Sequence, residues 1–149
     1  MTKAPAPAVP ALVLRRTYKA TRERVFAAWT TPEIAETFLG PGDTTIPDIQ
    51  MDVRPGGTYR ITMLLADGER MVVKGMYREV IAPKRLSMTW CWEEENPADE
   101  RDTLLSLDFN DIDGETELVL THEQFATAES RDRHEHGWTL IADQLASVV

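Results

Sequence analysis

The sequence predicts an α+β domain in which a strongly curved, seven-stranded antiparallel sheet is wrapped on a long C-terminal helix. Between residues 44 and 122, apolar side chains recur at every second position in runs separated by short turns, which is typical of antiparallel strands. Residues 130–149 instead carry apolar side chains at spacings of three and four, the pattern of one helical face. Because the sheet needs a cover and no other long element remains, we expect the sheet to curve around this helix.

A strand and two short helices are predicted to precede the run of hairpins. The strand covers residues 11–20, and helical spacing begins after Thr21, which has the residue type of an N-cap. The first helix places Trp29 on its apolar face, and the second runs from Pro32 to about Phe38. A Gly-Pro-Gly run then ends the helical segment.

Six further strands are predicted, joined mostly by tight turns. Their ranges are 44–53, 59–65, 71–78, 85–93, 105–109 and 117–122, with turn residues at 54–57, 67–68, 81–84 and 111–114. The strand at 85–93 alternates most regularly, with Trp90 and Trp92 on one side and Cys91 on the other. We therefore expect that strand to have one apolar face and one face in contact with solvent.

Two segments lie outside this regular pattern. Residues 1–11 contain repeated Ala-Pro dipeptides and are predicted to form a disordered leader, which leaves 12–149 as a single domain. Residues 94–102 form an acidic loop, in which like charges repel and Pro97 prevents sheet pairing. We expect that loop to be mobile.

The C-terminal helix carries an apolar stripe around which the rest of the chain is arranged. Its members are His134, Trp138, Ile141, Leu145 and Val148. The opposite side is largely polar, so only this stripe needs to be covered. Gly137 lies beside the stripe, and its lack of a side chain predicts a close approach of the sheet or of a ligand.

The charge and composition argue against several classes of function. A net charge of −9 and a pI near 4.8 make nucleic acid an unsuitable partner, since phosphate binding needs a basic face. No apolar run approaches the roughly 18 residues that would span a membrane, so no membrane partner is expected. The single cysteine, Cys91, excludes an intramolecular disulfide and agrees with a reducing compartment, and we expect a cytoplasmic protein.

Aromatic and methionine side chains are concentrated on the side of the sheet that faces the helix. The candidate pocket-lining residues are Trp29, Phe38, Tyr59, Met63, Met88, Trp90, Trp92, His134, Trp138 and Ile141. They form either a plain core or an apolar pocket that repacks around a ligand, and the sequence leaves both interpretations open. In a pocket, Tyr59 and His134 would orient a polar group of the ligand.

The sequence assigns no catalytic residue, no metal and no cofactor. His122 and His134 are both predicted to point inward, either as polar anchors or as hydrogen-bonded core residues. His136 lies about 200° around the helix from His134, so the two cannot bind one metal ion. No nucleophile elbow, phosphate-binding loop or dinucleotide motif is present. Acid or base chemistry would have to come from His122, His134, Tyr59 or a carboxylate that reaches the pocket, such as Glu123 or Glu36.

Several short motifs resemble a known bacterial family. They are residues 25–33 (VFAAWTTPE), 40–41 (GP), 52–60 (DVRPGGTYR), 75–80 (GMYREV), 85–90 (RLSMTW), 116–118 (TEL), 120–123 (LTHE) and 136–138 (HGW). Together they are similar to bacterial relatives of the C-terminal domain of the heat-shock protein 90 ATPase activator, the AHSA type of the SRPBCC (START, Bet v 1-like) superfamily. The resemblance runs in order from about Leu12 to the end of the chain.

This resemblance implies the helix-grip fold, with a cavity between the bent sheet and the C-terminal helix. Members of the superfamily bind lipids, sterols, polyketides or other apolar ligands, some are aromatases or cyclases, and homodimers are frequent. The chain departs from the common Trp-Trp-Gly-Pro and Gly-Gly-Trp patterns, which are here residues 38–41 (FLGP) and 136–138 (HGW). These departures concern the predicted cavity mouth, so the ligand preference of relatives does not transfer directly.

Three hypotheses about function follow. The first is binding of a small apolar or aromatic ligand, such as a lipid or polyketide, in a stress-related role without cofactor or metal. The second is an aromatase-, cyclase- or hydrolase-like enzyme that uses the same cavity, with His134 or His122 as acid or base. The third is a co-chaperone-like module that docks on a protein partner, with residues 93–102 as the first candidate surface.

Overall fold

The computed structural model describes residues 8–149, so the first part of the predicted leader lies outside the described residues. Within this range, seven strands and three α-helices follow one another in the predicted order. They are β1 (Leu12–Tyr18), α1 (Arg22–Thr30), α2 (Pro32–Ala35), β2 (Thr45–Met51), β3 (Thr58–Leu64), β4 (Arg70–Ile81), β5 (Arg85–Trp92), β6 (Thr103–Ile112), β7 (Glu115–Glu123) and α3 (Ala128–Leu145). A short 3-10 turn, Pro97–Asp99, separates β5 from β6.

The strands form one antiparallel sheet in the order β1-β7-β6-β5-β4-β3-β2. From β2 to β7, every strand pairs with its neighbour in sequence, as short connecting turns require. The first strand pairs instead with the last, with Leu12 opposite His122 and Tyr18 opposite Thr116. The segment containing α1 and α2 therefore carries the chain from one sheet edge to the other. The sheet is curved and open, which confirms the predicted α+β architecture.

The helices begin where their capping residues predict, although two differ from the predicted extent. Thr21 and Thr127 cap α1 and α3, because their hydroxyl oxygens accept hydrogen bonds from backbone N–H groups of the first turn. With Thr127 as its N-cap, α3 begins slightly earlier than predicted, at Ala128. In contrast, α2 ends at Ala35 and the chain reaches Phe38 through a turn rather than through a continued helix.

Hydrogen bonds and an ion pair fix α3 at the β1 edge of the sheet. The Tyr18 hydroxyl donates to the Ala142 carbonyl oxygen at 2.7 Å, and Arg16 forms an ion pair with Asp143 at 3.0 Å. Nearer the start of α3, the Arg131 guanidinium donates to the Pro10 carbonyl oxygen at 3.0 Å. The last residues of the predicted leader are therefore held against α3.

The outer face of β5 is buried, which contradicts the prediction of a solvent-facing side. Ser87, Thr89 and Cys91 are only 3%, 7% and 4% exposed. Because β5 lies in the interior of the sheet, longer outward side chains of its neighbours shield these small residues on both sides. Alternation along a strand identifies its two faces but does not show how well each face is covered.

The acidic loop between β5 and β6 folds back onto the outer face of the sheet. Glu93 is ion-paired with Arg60 at 3.0 Å, and Glu100 with Lys74 at 2.9 Å. The Glu100 carboxylate also accepts a hydrogen bond from the backbone N–H of Glu94 at 3.2 Å. Glu93 and Glu100 thus hold the two ends of the loop, because cations on β3 and β4 lie within reach, whereas Glu94, Glu95 and Asp99 stay exposed.

Gly137 does not mark a close approach of the sheet to α3, so that part of the prediction is wrong. A Cβ atom added at Gly137 would meet no atom within 4 Å. The glycine faces open space beside the buried stripe, and its neighbour Trp138 makes the contact with the core at 2% exposure.

None of the described helices is both long and apolar enough to cross a membrane.

Candidate functional site

The ten predicted lining residues come from α1, the turn after α2, β3, β5 and α3. Eight of them are at most 5% exposed and belong to one buried cluster: Trp29, Phe38, Tyr59, Met63, Met88, Trp90, Trp138 and Ile141. The other two, Trp92 and His134, are only partly buried and adjoin this cluster. The structure therefore brings the ten residues together and fills the space between sheet and helix with their side chains.

The ring of Trp90 is the centre of an aromatic layer between the sheet and α3. Its centroid lies 4.9 Å from that of Trp138, 5.8 Å from that of Trp92 and 6.2 Å from that of Tyr59. The four rings adopt tilted or edge-to-face arrangements, which aromatic pairs prefer over face-to-face stacking. Contact between the central sheet and the first half of α3 thus runs through this layer.

A second set of contacts seals the layer on the side of α1 and α2. Trp29 packs edge-to-face on Phe38 at 5.3 Å and reaches Trp138 at 6.1 Å. The turn that carries Phe38 is held by Gln144 of α3, whose amide nitrogen donates to the carbonyl oxygens of Phe38 and Gly40 at 2.9 and 2.8 Å. Sequence reasoning missed this role of Gln144, because a polar residue on a helix carries no periodic signal for a specific partner.

His134 is hydrogen-bonded through both ring nitrogens. Its Nδ1 atom lies 2.7 Å from the Ser130 carbonyl oxygen, and its Nε2 atom accepts from the Trp92 indole N–H at 2.9 Å. Since a carbonyl oxygen can only accept, Nδ1 carries the proton and the imidazole is neutral. Burial lowers the pKa of His134 and supports this assignment.

His122 forms a second, fully buried network. Its Nδ1 atom accepts from the Trp138 indole N–H at 3.0 Å, so the proton lies on Nε2 and is donated to Thr103 Oγ1 at 2.7 Å. The Thr103 hydroxyl in turn donates to the Trp90 carbonyl oxygen at 2.7 Å. Burial, reinforced by the neighbouring His134, lowers the pKa of His122 from 6.5 to about 3. Both ring nitrogens of His122 and the Thr103 hydroxyl therefore have hydrogen-bond partners.

Phe125 was absent from the predicted site, yet it packs against both histidines. Its ring centroid lies 4.4 Å from that of His122 and 5.0 Å from that of His134, and it is 5% exposed. Phe125 occupies the connection between β7 and α3, where no periodic pattern predicts the direction of a side chain. Its only sequence signal was a large apolar residue in an otherwise polar connection.

The Tyr59 hydroxyl is hydrogen-bonded to the backbone of the sheet. It donates to the carbonyl oxygen of Thr89, while Thr89 Oγ1 accepts from Met76 N at 2.9 Å. Both bonds lie close to Gly75, and the irregularity in the pairing of β4 and β5 follows between Tyr77 and Glu79. Burial raises the pKa of Tyr59, so its phenol stays protonated. The only hydrogen-bond donor of the Tyr59 side chain is thus already used within the fold.

The two buried histidines predict that the protein loses stability in mild acid. Between about pH 7 and pH 5 the unfolded chain binds a proton at His122 and the folded chain does not. The free energy of unfolding should therefore fall by about 2 kcal/mol from His122 alone. The contribution of His122 is complete above its unfolded pKa and is lost as the pH falls toward its folded pKa. His134 acts in the same direction.

Urea unfolding at pH values across that range measures this loss. A His136→Ala variant is the matched control, because His136 lies on the exposed side of α3 and should leave the pH dependence unchanged. A free energy of unfolding that stays constant from pH 7 to pH 5 would show that the two histidines take up protons over the same pH range in the folded and the unfolded chain, and would contradict this prediction.

The outer face of the sheet carries a shallow depression of about 750 Å³. Its lining mixes cations with carboxylates, and the cations Arg60 and Lys74 are already ion-paired. Cys91 contributes to the floor, where burial and nearby Asp102 raise the pKa of its thiol and make it a poor nucleophile. No group of three or more metal-ligating side chains occurs among residues 8–149.

A curved antiparallel sheet that is closed over a C-terminal helix by an aromatic layer defines the helix-grip class of domains. Residues 19–149 match the family model described as "Activator of Hsp90 ATPase homolog 1-like protein". The chain belongs to this family, which confirms the resemblance drawn from the sequence motifs. Family membership places it, in general terms, among ligand-binding or co-chaperone-like domains.

Solved structures with the same fold come from several bacteria. A protein of Chromobacterium violaceum is 23% identical with a TM-score of 0.82, and the match covers 93% of this chain and 96% of that one. The AHSA1 protein of Silicibacter pomeroyi is 26% identical with a TM-score of 0.78, over 93% and 96% of the two chains. A protein of Mycobacterium smegmatis is 21% identical with a TM-score of 0.82, over 95% and 91%. No curated protein matches the sequence significantly.

Proposed function

We propose that the protein binds a small apolar or aromatic molecule, such as a lipid or polyketide-like metabolite, between the curved sheet and α3. The observation that carries this proposal is the composition of the layer at that position. Aromatic rings and the unbranched Met63 and Met88 come from five separate segments and belong to one buried cluster, in which leucine, isoleucine and valine side chains also pack. Methionine adapts its shape to a neighbour, so such a layer can open and repack around an apolar guest.

The half-buried end of the layer is the entrance in this proposal. Trp92 and His134 lie there, and Met71 at the start of β4 is 37% exposed on the same face of the sheet. The hydrogen bond between Trp92 and His134 links β5 to the first half of α3. A ligand that enters here breaks this hydrogen bond and separates β5 from α3.

Native mass spectrometry of the purified protein, followed by a thermal-shift screen of apolar metabolites, tests the proposal. We expect a carried-over molecule or a stabilising hit, and a change in tryptophan fluorescence on binding because the rings move. The Trp92→Ala variant should bind the same hit more weakly. An Ile81→Ala variant, altered at an exposed residue at the far end of β4, should bind like the unmodified protein. Absence of both a carried-over molecule and any hit would refute the proposal.

The geometry gives no support to the enzyme alternative. His122 and His134 are neutral, and both nitrogens of each ring are already hydrogen-bonded. Neither histidine can accept a proton without breaking a hydrogen bond that joins α3 to the sheet. Delivery of the proton that each carries would break the bond of His134 to Ser130 or that of His122 to Thr103. Tyr59 has its only donor committed to Thr89.

A co-chaperone-like docking role is the second candidate, favoured by the description of the family. In the loop between β5 and β6, Glu94, Glu95 and Asp99 are exposed, whereas the flanking Glu93 and Glu100 anchor the loop to the sheet. Reversal of the charges at Glu94 and Glu95 should weaken co-precipitation of an Hsp90-type chaperone and leave small-molecule binding unchanged. Unaltered co-precipitation would exclude this surface. The homodimer and the cytoplasmic location remain predictions.

A further inference from the structure

Within residues 8–149, two buried tryptophans have an indole N–H that finds no hydrogen-bond partner. Trp29 and Trp90 are each 4% exposed, and their Nε1 atoms are inaccessible to solvent and unpaired. A buried donor that has lost its water and found no acceptor costs about 1–3 kcal/mol. Because most buried polar groups in folded proteins are paired, two such donors in one aromatic cluster need an explanation.

The two histidine acceptors of the layer are already used. The chain has four tryptophans, and the two histidines of the layer satisfy two of them, since His134 accepts from Trp92 and His122 from Trp138. The lone pair of each neutral imidazole is therefore occupied. Trp29 and Trp90 are the two tryptophans left without an acceptor.

Both unpaired tryptophans contact the same ring. The centroid of Trp138 lies 4.9 Å from that of Trp90 and 6.1 Å from that of Trp29. The indole of Trp138 itself donates to His122, so it offers its faces but no free donor. A molecule that packs against Trp138 is therefore next to both rings that carry a free N–H group.

The lining provides no charge to pair with a charged ligand. None of the ten lining residues is an acid, a lysine or an arginine, and the hydrogen bonds of His134 require its neutral form. Arg16 also has a buried unpaired nitrogen, Nε, but the same guanidinium is ion-paired with Asp143. A carboxylate or an ammonium group of a ligand would be buried among the ten lining residues without a counter-charge, at a large cost in free energy.

We propose that the site selects an uncharged molecule that carries carbonyl-type acceptor oxygens, and that Trp29 and Trp90 donate to these oxygens. This inference rests on the proposed function and adds the chemical class of the ligand. An indole N–H can only donate, so the site distinguishes a ketone, ester or quinone oxygen from a hydrocarbon of the same shape. Sites built around a hydrogen bond discriminate strongly against analogues that lack it.

Four probes of matched shape test this inference: benzophenone, diphenylmethane, benzhydrol and 4-benzoylbenzoate. We expect benzophenone to bind about tenfold more tightly than diphenylmethane, the ratio that one net hydrogen bond provides. Benzhydrol brings a donor to a site that already has two, so its affinity should fall between those of the ketone and the hydrocarbon. The carboxylate should bind at least about 100-fold more weakly than benzophenone.

Variants that keep a ring but remove the N–H identify the donors. Trp29→Phe and Trp90→Phe should reduce the preference for benzophenone over diphenylmethane, and the double variant should abolish it. Ile81→Ser, at an exposed position, should keep the preference. The ratio of two affinities within one variant is the readout, because a loss of stability alone would weaken both probes alike.

The outcomes separate this inference from the function on which it rests. Equal binding of benzophenone and diphenylmethane, preferential binding of the carboxylate, or a preference that survives in the double variant would overturn the inference and leave apolar binding intact. If none of the four probes binds and native mass spectrometry finds no bound molecule, the proposed function fails as well. A bound molecule that is charged, or that has no acceptor oxygen, would also overturn the inference.

Discussion

The Trp138→Ala variant is expected to lose about 3–5 kcal/mol of its free energy of unfolding. The indole is 2% exposed, contacts the rings of Trp29 and Trp90, and donates a hydrogen bond to His122 at 3.0 Å. Its removal leaves a large cavity in the layer between the sheet and α3, and it also leaves the buried Nδ1 acceptor of His122 unpaired. Urea or thermal unfolding measures the loss.

Two further variants separate these contributions to the stability. Trp138→Phe retains most of the ring but not the N–H, so its loss should be intermediate. Ile112→Ala, at a position that is 46% exposed, should change the free energy of unfolding by no more than about 0.5 kcal/mol. A loss below about 1 kcal/mol for Trp138→Ala would mean that the ring is not part of the core.

The Gly75→Ala variant is expected to lose about 2–4 kcal/mol, a large effect for the addition of one methyl group. A Cβ atom at Gly75 would overlap the carbonyl oxygen of Thr89 and lie 2.7 Å from the Tyr59 hydroxyl. Because the main obstacle is backbone, β4 and β5 must move apart and disturb the bonds that Tyr59 and Met76 make to Thr89. Denaturant unfolding at neutral pH measures the effect.

Gly137→Ala is the matched control, because it makes the same substitution where there is space. Gly137 lies inside α3 and an added Cβ meets nothing within 4 Å, so alanine should stabilise the helix by about 0.5–1 kcal/mol. The two substitutions are therefore expected to have opposite signs. Destabilisation of similar size in both variants would contradict the local geometry at Gly75.

Much of the fold could be predicted from local patterns. The period of two and the turn residues determine the order of the strands, since each strand from β2 to β7 pairs with the next along the chain. The spacing of His134, Trp138 and Ile141 assigns one face of α3 to the core, and the structure places that face there. The ten candidate lining residues follow from the same two periods.

The hydrogen bonds of the candidate site depend on the tertiary structure alone. Periodicity indicates that His122, His134 and Tyr59 point inward. It does not show that each histidine accepts a hydrogen bond from a tryptophan indole, or that the Tyr59 hydroxyl donates to a backbone carbonyl oxygen. The unpaired donors of Trp29 and Trp90 become visible only when every nearby acceptor is known.

By itself, the sequence determined the α+β class, the order of the elements and the face that each presents to the core, because these depend on residues a few positions apart. Only the tertiary structure decided which polar atoms are satisfied, how the acidic loop is anchored and where β4 needs a glycine. These features depend on residues that are distant in the chain, and the register and curvature of the sheet bring them together.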